Sequence, residues 1–163
     1  MSTVDIFIPS YRANRQRTLG LLDKIEQEPN PMEALGWRPG PGRAHIAWQL
    51  MHVGITEELF ASERLAPHKQ GIMTELWPRF RNGSTPDDDI PRPELIRKVL
   101  ADSRERLEAT LADYGDDRLD EIPPALAARN LNMLGVLHIL GWHEAHHQGQ
   151  AHITFNLYKH RGT

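Results

Sequence analysis

The run Trp142-His143-Glu144-Ala145-His146-His147-Gln148-Gly149-Gln150 carries the clearest chemistry in this chain. Two imidazoles four residues apart on a helix stand one above the other, roughly 5–6 Å apart at Cβ. That spacing lets His143 and His147 chelate one divalent ion. On a helical wheel the two differ by about 40°, and Val136, Leu140, Gln150, Thr154 and Leu157 fall near the same stripe, which places the pair on the core side. His146 lies toward the flank, and His138 and His152 point round the back. A histidine-rich solvent face is the alternative. It explains less, because imidazoles side by side in a core each need a polar partner and would repel one another when protonated.

A third ligand has to come from a facing helix. In the segment His45 to Leu59, the residues His45, Trp48, Gln49, His52, Ile55, Thr56 and Leu59 lie near one line, so both histidines face inward. Seven residues separate them, about 10 Å along the axis, and they cannot share an ion. His52, in mid-helix, opposes a mid-helix pair better. His45 follows a Gly/Pro break and suits a place at the helix end. The chain has no cysteine, so a metal must be held by nitrogen and oxygen, which suits zinc, nickel or iron.

The elements that would position these groups are helical. Apolar residues recur at helical spacing in four segments, about 10–28, 43–65, 93–114 and 130–159, and no segment shows sustained strand alternation. Ser10 and Asn130 are the expected N-caps, and Gly115 and Gly162 the expected stops of the last two segments. Tyr11, Leu21, Leu22 and Ile25 should face inward from the first helix. Between the second and third helices, residues 66–92 are polar and Pro-rich. A connection that long frees those helices from being tightly joined neighbours, so an all-α four-helix bundle with a long crossover is the expected architecture.

At 163 residues, with 25% charged and 39% hydrophobic residues, the chain suits one soluble domain spanning 1–163. The net charge of −3 comes from interspersed charges, with no basic stripe for nucleic acid. No apolar run approaches the roughly 20 residues that span a bilayer, and the first ten residues lack a leader pattern. A cytoplasmic protein is expected. Exposed Ile6, Phe7 and Ile8, with Trp77 and Phe80 of the crossover, would support a homodimer.

Two known patterns compete for the histidines. His143-Glu144-Ala145-His146-His147 satisfies H-E-x-x-H, in which the glutamate activates a metal-bound water for hydrolysis. The extended form of that motif needs glycine at 150 and histidine at 153, whereas Gly149 and His152 come one residue early. No acidic residue follows His147 to serve as a later ligand. The second pattern joins a mid-helix histidine, in Ile46-Ala47-Trp48-Gln49-Leu50-Met51-His52-Val53, to a C-terminal H-x-x-x-H-x-G-Q formed by His143, His147, Gly149 and Gln150. This combination resembles the DinB/YfiT-like helical-bundle family over most of the chain. Gln148 departs from that family's pattern, which commonly has a basic residue there.

The resemblance implies a four-helix bundle with a metal held by His52, His143 and His147 at one end of its interior, leaving positions open. It also implies a low-molecular-weight thiol as co-reactant. The leading expectation is thus a metal-dependent, thiol-dependent S-transferase or isomerase acting on a small electrophile. A hydrolase using Glu144, and a non-enzymatic metal-binding stress-response bundle, are the alternatives. Gln150 is expected to orient a histidine or hold substrate. Glu144, about 100° from His143, is expected in a surface salt bridge unless the hydrolase reading holds.

Overall fold

The computed structural model describes residues 1–161, so the Gly162 stop lies outside the described residues. It is all-helical, with no strand among those residues. Four long helices make the frame: α1 (Thr3–Glu26), α3 (Ile46–Leu59), α5 (Pro93–Leu111) and α6 (Met133–Lys159). Two short helices, α2 (Pro31–Gly36) and α4 (Trp77–Phe80), lie in the connections. None of the helices is long and apolar enough to cross a membrane.

The helix starts differ from the sequence expectations for local reasons. α1 begins seven residues before Ser10, capped by Ser2, whose Oγ accepts from Asp5 N–H while the Asp5 carboxylate accepts from Ser2 N–H. Such a reciprocal box satisfies two otherwise orphaned donors, and the helix then runs on through Pro9. α3 starts at Ile46 because the His45 ring is its cap, with Nδ1 accepting from Trp48 N–H at 3.0 Å. α6 is capped by Asn132, whose side chain accepts from Gly135 N–H. Asn130 instead sits at φ 49°, ending a 3₁₀ turn at Pro124–Arg129, a left-handed position that asparagine tolerates.

α3 is the central helix. Every residue from Gln49 to Ser62 is buried, and the helix packs on both α5 and α6, while α1 packs on α6 and α5. The approach to α5 is close at Gly54, where a Cβ would stand 2.7 Å from Val99 Cγ1. The apolar core falls into two clusters. One holds Leu22, Ile25, Leu50, Ile55, Leu100 and Phe155. The other holds Tyr11, Phe60, Leu107, Leu111, Val136 and Leu140.

Between them lies a charged layer to which each long helix contributes one residue: Arg15, Glu57, Arg104 and Glu144. Arg15 bonds Glu57 Oε2 at 2.9 Å and Glu144 Oε1 at 2.7 Å. Arg104 bonds Glu57 Oε1 and Glu144 Oε2. Arg15 also donates to the Leu100 carbonyl, and Thr18 Oγ1 to Glu144 Oε1. One polar atom of the layer, Arg104 Nη1, has no partner among the described residues. Two positive and two negative side chains cancel, which is how charges persist in an interior of low dielectric.

Two expectations about surfaces are corrected here. Phe80 is 1% exposed and packs in the first core cluster, with Trp77 partly buried against it. Phe7 and Ile8 are partly buried against the second cluster, so of the five residues expected to form a dimer face only Ile6 is exposed.

Candidate metal centre

α6 turns its deepest face, with Val136, Leu140, Glu144 and Ala151, toward the core. His143 and His147 sit beside that face, half-buried, and α3 brings the buried His52 against them. The three histidines each offer a ring nitrogen, and these nitrogens all lie within 4.8 Å of one another. His52 Nε2 and His143 Nε2 are 3.2 Å apart, and the His143 and His147 ring centroids 4.5 Å apart. The rings stand midway along α3 and α6 rather than near their ends. His45 stays apart as the cap of α3, with Nε2 at 3.0 Å from the Asp87 carbonyl oxygen.

Hydrogen bonds fix which nitrogen is free in two of the three rings. A carbonyl oxygen only accepts, so a ring nitrogen beside one must carry the proton. His52 Nδ1 donates to the Phe80 carbonyl at 2.6 Å, and His147 Nδ1 donates to Gln49 Oε1. In both rings Nε2 therefore keeps its lone pair. Partners of this kind set the tautomer and ring orientation of metal-binding histidines. The Phe80 carbonyl is available because it ends the short helix α4, where the last carbonyls have no partner within the helix.

The electrostatics agree. Burial pushes the pKa of both His143 and His147 down to about 3; at His143 the charges of His52 and His146 add to this, and at His147 those of His143 and His52. His52 is also lowered, by burial first. All three rings are thus neutral at neutral pH, the state a ligand requires. Trp48 stacks on His52 at 4.6 Å with only 8° between the planes, which fixes that ring and covers one side of the cluster. The set could hold one divalent ion: three nitrogen donors converge, and two of them have their tautomer fixed in the ligating form.

The other expected site residues lie elsewhere. Glu144 is 1% exposed rather than at the surface, and both its carboxylate oxygens are taken by Arg15, Thr18 and Arg104. The H-E-x-x-H reading has no free base there. Gln150 is exposed and bonds His146 at 2.8 Å, not a member of the cluster. Leu157, expected on the core stripe, is 50% exposed. Gln49 fills the role given to Gln150. Its signal was present in the sequence, as an amide on the inward line of α3 one turn before His52. The Phe80 carbonyl had no such signal, since any residue type carries one.

Residues 10–151 match the family model of the DinB superfamily. No curated protein matches the chain.

Proposed function

The chain belongs to the DinB superfamily, and on that footing we propose that His52, His143 and His147 hold a divalent metal ion, zinc or nickel before iron, in a centre that serves thiol-dependent group transfer or isomerisation of a small electrophile. The four long helices are read as that family's four-helix bundle, with residues 66–92 as its crossover and the whole chain as one domain. The observation that carries the proposal is the pair of fixed tautomers, His52 through Phe80 and His147 through Gln49. A merely structural cluster of neutral histidines has no need of partners that leave a lone pair on Nε2 in two neighbouring rings.

Three neutral imidazoles leave coordination positions open, as in catalytic rather than structural zinc sites. A metal bound there would supply Lewis acidity and favour the thiolate form of an external thiol. The chain's own contributions are positional. Gln49 and the Phe80 carbonyl hold two rings in place, Trp48 shields His52, and the pocket beside the histidines admits the electrophile. The chain offers no cysteine as a nucleophile, in keeping with a thiol brought from outside.

The test is metal analysis of protein purified without a metal-affinity column, followed by cobalt substitution. One metal per chain, lost in His143→Ala, and a thiolate charge-transfer band when a small thiol is added to the cobalt form would support the reading. Folded wild-type protein that takes up no zinc, nickel or iron would overturn it.

A further inference from the structure

The pocket beside the histidines has a volume of about 350 Å³, and it carries charge that the chain does not balance. Part of its wall is apolar, formed by Phe60, Leu131, Ile139 and Trp142. Two guanidinium groups, Arg64 and Arg129, also line it. Arg15, Arg79, Arg97, Arg104 and Arg106 are all engaged by carboxylates. Arg64 and Arg129 form no ion pair among the described residues. The acid whose charge bears on Arg64 is Glu63, and it faces Arg81 at 3.5 Å.

Arg64 is carried by an irregular turn of the backbone. α3 continues into a π-helical turn at Phe60–Arg64, closed by the bond from Leu65 N–H to the Phe60 carbonyl at 3.1 Å. Within that turn Arg64 packs back on the ring of Phe60, four residues earlier. The guanidinium carbon lies 4.4 Å from the Phe60 ring centroid, and the charge bears on both His52 and His143. Single π turns are uncommon and concentrate at functional sites. From the other side, the left-handed Asn130 ends the 3₁₀ turn that carries Arg129.

We propose that this pocket selects a small carboxylate with an apolar body, its acid group gripped by Arg64 and Arg129 and its reactive end beside His52, His143 and His147. The reactive end rests on the metal reading above; the grip on the carboxylate needs no metal. The carboxylate can arrive on the electrophile or on the thiol, and the experiment separates the two.

Binding is read by tryptophan fluorescence and calorimetry, in chelator-treated and in zinc-loaded protein. One pair of probes is phenylacetate against phenylacetamide, and the other is 3-mercaptopropionate against 2-mercaptoethanol. A preference for the charged member of about tenfold or more is expected, reduced to near none by Arg64→Gln and by Arg129→Gln. Arg12→Gln, which removes a positive charge on the exposed face of α1, should leave it unchanged. The pair that shows the preference identifies which reactant bears the acid. No preference in either pair overturns the proposal, as does one that both glutamine variants keep or that Arg12→Gln removes equally.

Since the phenylacetate arm is read without metal, failure to take up zinc leaves it standing, and failure of the arm leaves zinc binding untouched. Circular dichroism melting checks the fold of each variant. Should the glutamine variants unfold, Arg64→Lys and Arg129→Lys keep the charge but lose the two-pronged donor, and phenylacetate should still weaken severalfold; unchanged binding in both overturns the proposal.

Discussion

Gln49 decides which nitrogen of His147 is free, because its Oε1 takes the proton on Nδ1. Loss of such an outer partner typically costs 10–100-fold in metal affinity. Gln49→Ala should therefore weaken zinc by about that factor in a competition titration with a chelating dye, with the fold intact. Gln150→Ala should leave the affinity unchanged, since the Gln150 side chain bonds His146, outside the cluster. Equal effects in the two variants would remove Gln49 from the site. Glu57 is the corresponding single residue for stability. Burial alone would raise its pKa, but Arg15 and Arg104 outweigh burial and hold it below the ordinary 4.5. In the unfolded chain the carboxyl takes up its proton near 4.5, before the folded one does. The stabilisation is thus complete above that pH and is lost as pH falls through the lower, folded value. Urea titrations should show wild-type stability declining below about pH 4.5, and the slope should flatten in Glu57→Gln. At neutral pH that variant should lose about 3–5 kcal/mol, the usual result of leaving buried charges without their partner.

Among the elements, the long helices were legible and their ends were not. Tyr11, Leu21, Leu22 and Ile25 are buried as helical spacing requires, and the same spacing put His143 and His147 together. The start of α1 was hidden by Pro9-Ser10, which resembles a helix start although the actual cap is Ser2. Asn130 and Asn132 both suit a cap by type; only the backbone separates the left-handed residue from the capping one. Asn132→Ala should cost about 1 kcal/mol in thermal or urea unfolding. Glu144 was misplaced because a glutamate is normally assigned to solvent; its two arginine partners lie on α1 and α5, far away in sequence. α3 was read as having one inward line, yet it is enclosed on all sides, and Gly54 shows how tightly. Gly54→Ala would drive a methyl group against Val99 and Ser103 of α5. The expected result is a loss of about 1–3 kcal/mol from overpacking, read from the urea midpoint; no loss would mean that α5 can retreat from α3.

For the molecule as a whole, the charged layer joins all four long helices, with Glu144 next to His143 on α6, so the helices that carry the cluster are held against sliding. A helix displaced by one turn, about 5.4 Å, would carry its arginine or glutamate away from both partners. The connection between α3 and α5 is fastened beside the histidines. Trp48 Nε1 donates to the Arg79 carbonyl at 3.1 Å, and His52 meets the Phe80 carbonyl. That second bond is made by backbone, so no side-chain replacement at position 80 deletes it directly. It also works in both directions: if a held connection favours the ligating form of His52, then an ion on His52 must favour the held connection, by the same factor. Protease sensitivity between residues 81 and 92 thereby becomes a gauge of metal occupancy. Trypsin, for which the Arg81–Asn82 bond is a cleavable site, should cut zinc-loaded protein there more slowly than chelator-treated protein, and the difference should vanish in His143→Ala.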